Sequence, residues 1–288
     1  MQPTPLSRRR FLALGGGAAL LAACGSKGSG KAGGASKSTF TEIAPGIVSM
    51  DLYAQPRPQR FAFAVTAKEG YASGQPAHVA LAPPGGTPRT FVPAIARAKG
   101  LPEFRGVYTT MARLDRPGIW RGVLDYDGSR IPFVFQVTAK PASIVAGHAA
   151  PRAASPTTSD PMGVDPICTR DPVCPLHTAS LSSIIGRGRP IAVMFATPAR
   201  CQTRYCGPVL ETMLPMVKTY SERIDFVHVE IYKNNETTDV IPTVSAWGLG
   251  GEPWLFGIDS GGLVTARLDG AFDGTEMQVL LNGLAARG

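Results

Sequence analysis

Four of the five cysteines fall into two close pairs, Cys168 with Cys174 and Cys201 with Cys206. Sulfur atoms at such separations support a permanent crosslink, reversible thiol–disulfide exchange, or soft-metal ligation. Four cysteines allow three pairings, and the local ones close the shortest loops. Cys168–Cys174 is expected as a structural disulfide, with metal ligation by Cys168, Cys174 and His177 as an alternative. Cys206 lies in Tyr205-Cys206-Gly207-Pro208, at the start of an expected helix. A cysteine in the first turn of a helix meets unpaired N–H groups and the positive dipole end, which favour its thiolate. Arg200 and Arg204 add positive potential nearby. Cys201 is close enough to act as its partner thiol. A fixed Cys201–Cys206 staple and copper binding by these sulfurs with His228 are the alternatives; taken alone, His228 reads as a packed strand residue.

The elements that must hold these residues alternate from Leu176 onward. A short helix is expected over 179–185, then the continuous apolar run 190–196, which suits a buried central strand. A cysteine-bearing loop leads into a helix from about Gly207 to Arg223, with Val209, Met213, Met216, Val217 and Tyr220 at helical spacing. Residues 224–232 read as a strand. Residues 253–258 and 263–268 flank the turn Asp259-Ser260-Gly261-Gly262 as a hairpin, and Thr275 to Leu284 closes the chain as a helix.

This order, βαβ then ββα with aromatic-Cys-Gly-Pro at the strand-to-helix junction, resembles the thioredoxin family over about Leu176 to Gly288. Gly251-Glu252-Pro253-Trp254-Leu255-Phe256 is similar to that family's cis-proline strand. The resemblance implies a thioredoxin-like α/β domain in which Cys206 is the attacking thiol. It also implies that Pro253 forms a cis peptide beside the sulfur and presents the backbone of Glu252 to a substrate chain. Three positions depart from the family. Val209 replaces the resolving cysteine, Met194 stands where a buried acid is common, and Glu252 puts a carboxylate before the proline, where it would raise a thiol pKa.

Residues 40–140 read as β-structure. Strands are expected at 61–65, 77–81, 106–114, 119–124 and 131–137, with turns at Pro83-Pro84-Gly85-Gly86, Arg116-Pro117-Gly118 and 125–128. Several short strands over about 100 residues suggest an antiparallel β-sandwich of Ig-like architecture. His78 and Trp120 are expected to pack. Residues 141–166, rich in Pro, Ala and Ser, read as an extended linker in which His148 is exposed. The expected organisation is therefore a signal segment 1–23, a tether 24–39, a β-sandwich 40–140, a linker 141–166 and a thioredoxin-like domain 167–288.

At the N-terminus, Arg8-Arg9-Arg10-Phe11-Leu12 precedes an apolar Gly/Ala-rich run and then Leu21-Ala22-Ala23-Cys24. A basic start, a short apolar stretch and small residues describe an export signal. The arginines followed by Phe-Leu resemble the twin-arginine pattern, and Leu-Ala-Ala-Cys resembles the bacterial lipobox, which implies that Cys24 carries lipid. Residues 25–39 form a Gly/Ser/Lys spacer with a root-mean-square reach of about 20 Å. The net charge of +8 is misleading, because Arg8 to Arg10 and three tether lysines supply most of it. About +2 remains for the folded part, no footprint for nucleic acid. No apolar run reaches the roughly 18 residues of a spanning helix.

The sequence thus points to an extracytoplasmic, lipid-anchored protein that exchanges with exported protein thiols or disulfides and needs no cofactor. A redox-silent binding module and a copper-handling protein are the alternatives.

Overall fold

A computed structural model describes residues 41–287, except 69, 73, 103–105, 202 and 203. The export signal, Cys24 and the tether 25–39 lie outside the described residues. Among the described residues, no helix is long and apolar enough to cross a membrane.

Eight strands make one antiparallel sheet: β1 (Ala44–Ile47), β2 (Gln59–Ala67), β3 (Gly70–Tyr71), β4 (Ala77–Ala82), β5 (Val92–Arg97), β6 (Val107–Ala112), β7 (Gly118–Tyr126) and β8 (Ser129–Val137). Their order is β1-β2-β6-β5-β4-β7-β8, with β3 paired to β2. The expected two-sheet sandwich is therefore corrected to a single, barrel-like sheet. The reason lies in β5. Its first half pairs with β4 (Ala77 opposite Ala94) and its second half with β6 (Ile95 opposite Thr109). It forms a corner that joins what would otherwise be two separate layers. Pro93 and the exposed Ile95 hide this strand from an alternation test. On the far side, a Tyr53–Thr138 bridge closes the ring of strands, with Ala54 N–H donating to the Thr138 carbonyl at 2.8 Å. The interior is aromatic: Phe61, Phe63, Tyr108, Trp120, Tyr126 and Phe135 are buried together. Trp120 packs as expected, and its Nε1 donates to the Arg116 carbonyl at 2.8 Å, whereas His78, on the outer face of β4, is exposed rather than packed.

The second sheet has the order β10-β9-β11-β12, from β9 (Ile191–Phe195), β10 (Asp225–Val229), β11 (Trp254–Ile258) and β12 (Val264–Asp269). β9 and β10 are parallel; β11 runs antiparallel to β9, and β12 antiparallel to β11. The parallel pair requires a crossover, supplied by α2 (Cys206–Tyr220). The remaining helices are α1 (Leu181–Ile184), α3 (Pro242–Ala246) and α4 (Gly274–Ala285). This parallel-then-antiparallel order is the one expected from the sequence resemblance described above. Because β9 is central, all five of its residues are buried. Ala192 and Met194 face α2 and α4, while Ile191, Val193 and Phe195 face a second core containing Trp247, Trp254 and Phe256.

Residues 141–166 lack helix and strand, yet they run along the second sheet rather than away from it. Ala150 and Val164 are buried in the second core. Ala150 N–H donates to the Gly262 carbonyl at 2.9 Å, and Gly147 N–H to that of Val264 at 2.8 Å. His148 is exposed. The described residues belong to one compact unit. Asp51 and Arg267 help to hold it together. Their ion pair is 2.9 Å long, Asp51 also accepts from the Ala142 and Ser143 N–H groups and the Ser143 hydroxyl, and the guanidinium lies over the Tyr53 and Trp254 rings.

Candidate functional site

Cys201 and Cys206 come together at the end of β9. The chain leaves the sheet after Ala196, turns through the cysteine loop and starts α2 at Cys206. The Cys206 N–H, one of the amides left without an intrahelical partner at a helix start, donates to Cys201 Sγ at 3.2 Å. No disulfide joins any of the four described cysteines. The sulfurs of Cys201 and Cys206 and a carboxylate oxygen of Glu252 all lie within 4.8 Å of one another. The Glu252–Pro253 peptide is cis, and Tyr232 donates its hydroxyl to Glu252 Oε1 at 3.4 Å. A cleft of about 220 Å³ opens beside Glu252, lined by Met50, Ile231, Tyr232, Val240 and Leu249 among others.

Burial reverses the expectation for Cys206. Its side chain is 0% exposed, whereas Cys201 is 9% exposed. Burial first, then Cys201 and the charge of Glu252, push the Cys206 thiol well above its usual range. The helix start does supply a donor, but the donor points at Cys201. Cys206 is thus a protonated, enclosed thiol rather than an accessible thiolate. Tyr205, next to Cys206, is also buried, and its ring meets Tyr71 of β3 edge-on at 6.1 Å. The barrel-like sheet therefore packs against the residue that precedes Cys206. Arg200 does not reinforce the sulfur directly; its guanidinium donates to the Asn234 and Thr237 carbonyls at 2.8 Å each. The same environment, through burial and then Glu252, raises Tyr232 to about 12.

The other cysteine pair also departs from expectation. Cys168 and Cys174 do not form the structural disulfide; they gather with His177 and His228 in a fully buried group. His228 is accordingly not a partner of Cys201 and Cys206, so the ligand set envisaged for copper is not assembled. Sequence reading identified Cys168, Cys174 and His177 as possible co-ligands but missed the fourth member. The available signal was an inward-facing His on the strand parallel to β9.

No protein-family model matches the chain, and no characterised protein matches it in sequence. Two solved structures are similar to its C-terminal half. One, described as a thiol:disulfide interchange protein DsbE from Chlorobium tepidum, is 19% identical over 51% of this chain and 100% of its own, with a TM-score of 0.36. The other, a thioredoxin-family thiol:disulfide interchange protein from Chlorobium tepidum TLS, is 17% identical over 50% of this chain and 99% of its own, with a TM-score of 0.33.

Proposed function

We propose that this chain is an extracytoplasmic, lipid-anchored thiol–disulfide exchange protein in which Cys201 is the reactive sulfur and Cys206 its buried partner. The observation that carries the reading is the hydrogen bond from the first amide of α2 to Cys201 Sγ, with a second sulfur and a carboxylate in reach of it. Charge on a sulfur is stabilised by such a donor at the positive end of a helix.

In the reducing direction, the Cys201 thiolate attacks one sulfur of a substrate disulfide. A Cys201–substrate bond forms, the substrate S–S bond breaks, and the released thiolate takes up a proton. Glu252 then removes the proton of Cys206, whose thiolate attacks Cys201 Sγ. The mixed disulfide breaks, the Cys201–Cys206 bond forms, and the second substrate thiolate is protonated. Two electrons and two protons pass to the substrate in all, and the reverse sequence oxidises a dithiol. The cleft beside Glu252 and Pro253 is suited to an extended, mainly apolar segment of an exported protein. Lipid on Cys24 would hold the chain at the membrane.

The burial of both sulfurs favours a second reading, a redox-silent binding module with a permanent Cys201–Cys206 staple. Equilibration of the full chain with glutathione buffers separates the two. Reversible interconversion at a potential near the roughly −120 to −270 mV span of exchange proteins supports the first. A bond that stays closed in the folded protein under all such buffers overturns it.

A further inference from the structure

The second sulfur cluster has the dimensions of a metal site. Four side chains, none more than 3% exposed, bring one donor atom each into a single group: Cys168 Sγ, Cys174 Sγ, His177 Nε2 and His228 Nδ1. Zinc bonds sulfur at about 2.3 Å and imidazole nitrogen at about 2.0–2.1 Å. A tetrahedron with those bond lengths has edges of about 3.3 Å between nitrogens, about 3.6 Å from sulfur to nitrogen and about 3.8 Å between sulfurs. The nitrogen–nitrogen edge here is 3.2 Å. Three sulfur–nitrogen edges are 3.3, 3.4 and 3.7 Å, and all four atoms lie within 4.8 Å of one another.

Protonation on His228 is set from outside the group. Its Nε2 lies 3.0 Å from the Ala196 carbonyl, which can only accept, so that nitrogen carries the proton. In the neutral ring Nδ1 then presents a lone pair to the other three donors. A ligating histidine anchored through its second nitrogen to a backbone carbonyl is the usual outer-shell arrangement. Charge points the same way. Two thiolates buried side by side repel one another, but two thiolates and one divalent cation are neutral, a combination that deep burial tolerates.

We propose that Cys168, Cys174, His177 and His228 form a closed, four-coordinate zinc(II) site. It fastens the 165–177 segment to β10, where the His228 N–H already donates to the Leu176 carbonyl at 2.8 Å. It also keeps two thiols out of exchange with Cys201 and Cys206. The site stands independently of the redox reading, since it uses neither of those residues.

The test is metal analysis of the full chain after dialysis, followed by cobalt(II) substitution. The expected result is about one zinc per chain, a cobalt spectrum with intense tetrahedral ligand-field bands and sulfur-to-metal charge transfer, and two thiols that react only after chelation. The zinc content and the cobalt spectrum should persist in the Cys201→Ser/Cys206→Ser double variant and disappear in His177→Ala. Because the wild-type spectrum needs no substitution, a folding failure of His177→Ala leaves the test intact. Recovery of a Cys168–Cys174 disulfide peptide from metal-replete protein, a weak octahedral cobalt spectrum, or loss of the metal in the Cys201/Cys206 double variant would each overturn the proposal.

Discussion

The backbone N–H of Cys206 donates to Sγ of Cys201 across 3.2 Å, so the start of α2 serves the neighbouring sulfur rather than its own. The reduced protein should therefore alkylate at Cys201 at least about tenfold faster than at Cys206. Mass mapping after a short iodoacetamide pulse near neutral pH checks this. Faster labelling of Cys206 would restore it as the attacking thiol.

Burial of Cys206 predicts a pH signature. Its folded-state pKa lies well above the ordinary value of 9.0, so the folded chain holds a proton that the unfolded chain releases. Stability of the reduced protein should be insensitive to this group below about pH 8 and fall above about pH 9, by up to about 1.4 kcal/mol per pH unit. Cys206→Ser should remove that slope. Denaturant midpoints of the two proteins from pH 7 to 10 provide the measurement; equal slopes would refute the burial argument.

Glu252 contributes to the rise at Cys206 through its charge. Glu252→Gln preserves shape and removes that charge, so alkylation of Cys206 in a Cys201→Ser background should move to lower pH. In the otherwise intact pair, the same substitution should slow resolution of the mixed disulfide. Accumulation of a trapped Cys201–substrate adduct reports the second effect, and an unchanged pH profile would rule out the carboxylate as the cause.

Asp51 and Arg267 are 4% and 13% exposed and form a 2.9 Å pair that joins the chain after β1 to β12. Removing one partner leaves a buried charge uncompensated, at a cost of about 3–5 kcal/mol. Arg267→Met should lose stability in that range, whereas the Asp51→Asn/Arg267→Met double variant should lose less than the sum of the singles. Urea unfolding measures all three. Strict additivity would mean that the pair does not couple.

The proposed lipid anchor on Cys24 predicts that Cys24→Ala moves the protein from the membrane fraction to the soluble one while leaving Cys201 reactivity unchanged. Fractionation of expressing cells decides it; unchanged membrane association would point to an attachment other than lipid on Cys24.

Much of the second sheet was legible because its signals are local. The apolar run 190–196 became β9, and the helical spacing from Val209 to Tyr220 became α2. The 263–268 segment became β12 nearly residue for residue. The barrel-like sheet was legible only strand by strand. Pairing of β5 with β4 at one end and β6 at the other depends on backbone curvature, and no periodicity within Val92–Arg97 encodes it.

The cysteine chemistry divides along the same line. Sequence alone determined that two close sulfur pairs exist, that Cys206 opens a helix, and that Glu252 and Pro253 precede β11, since each follows from neighbours within a few residues. Tertiary structure alone decided which sulfur is fully enclosed and which keeps a trace of exposure, because Tyr205, Tyr71 and Glu252 reach this region from three parts of the chain. It also decided that His228 joins Cys168 and Cys174, 60 and 54 residues away. That meeting depends on β10 lying parallel to β9 while the 165–177 segment folds back across it, a relation that spacing along the chain does not carry.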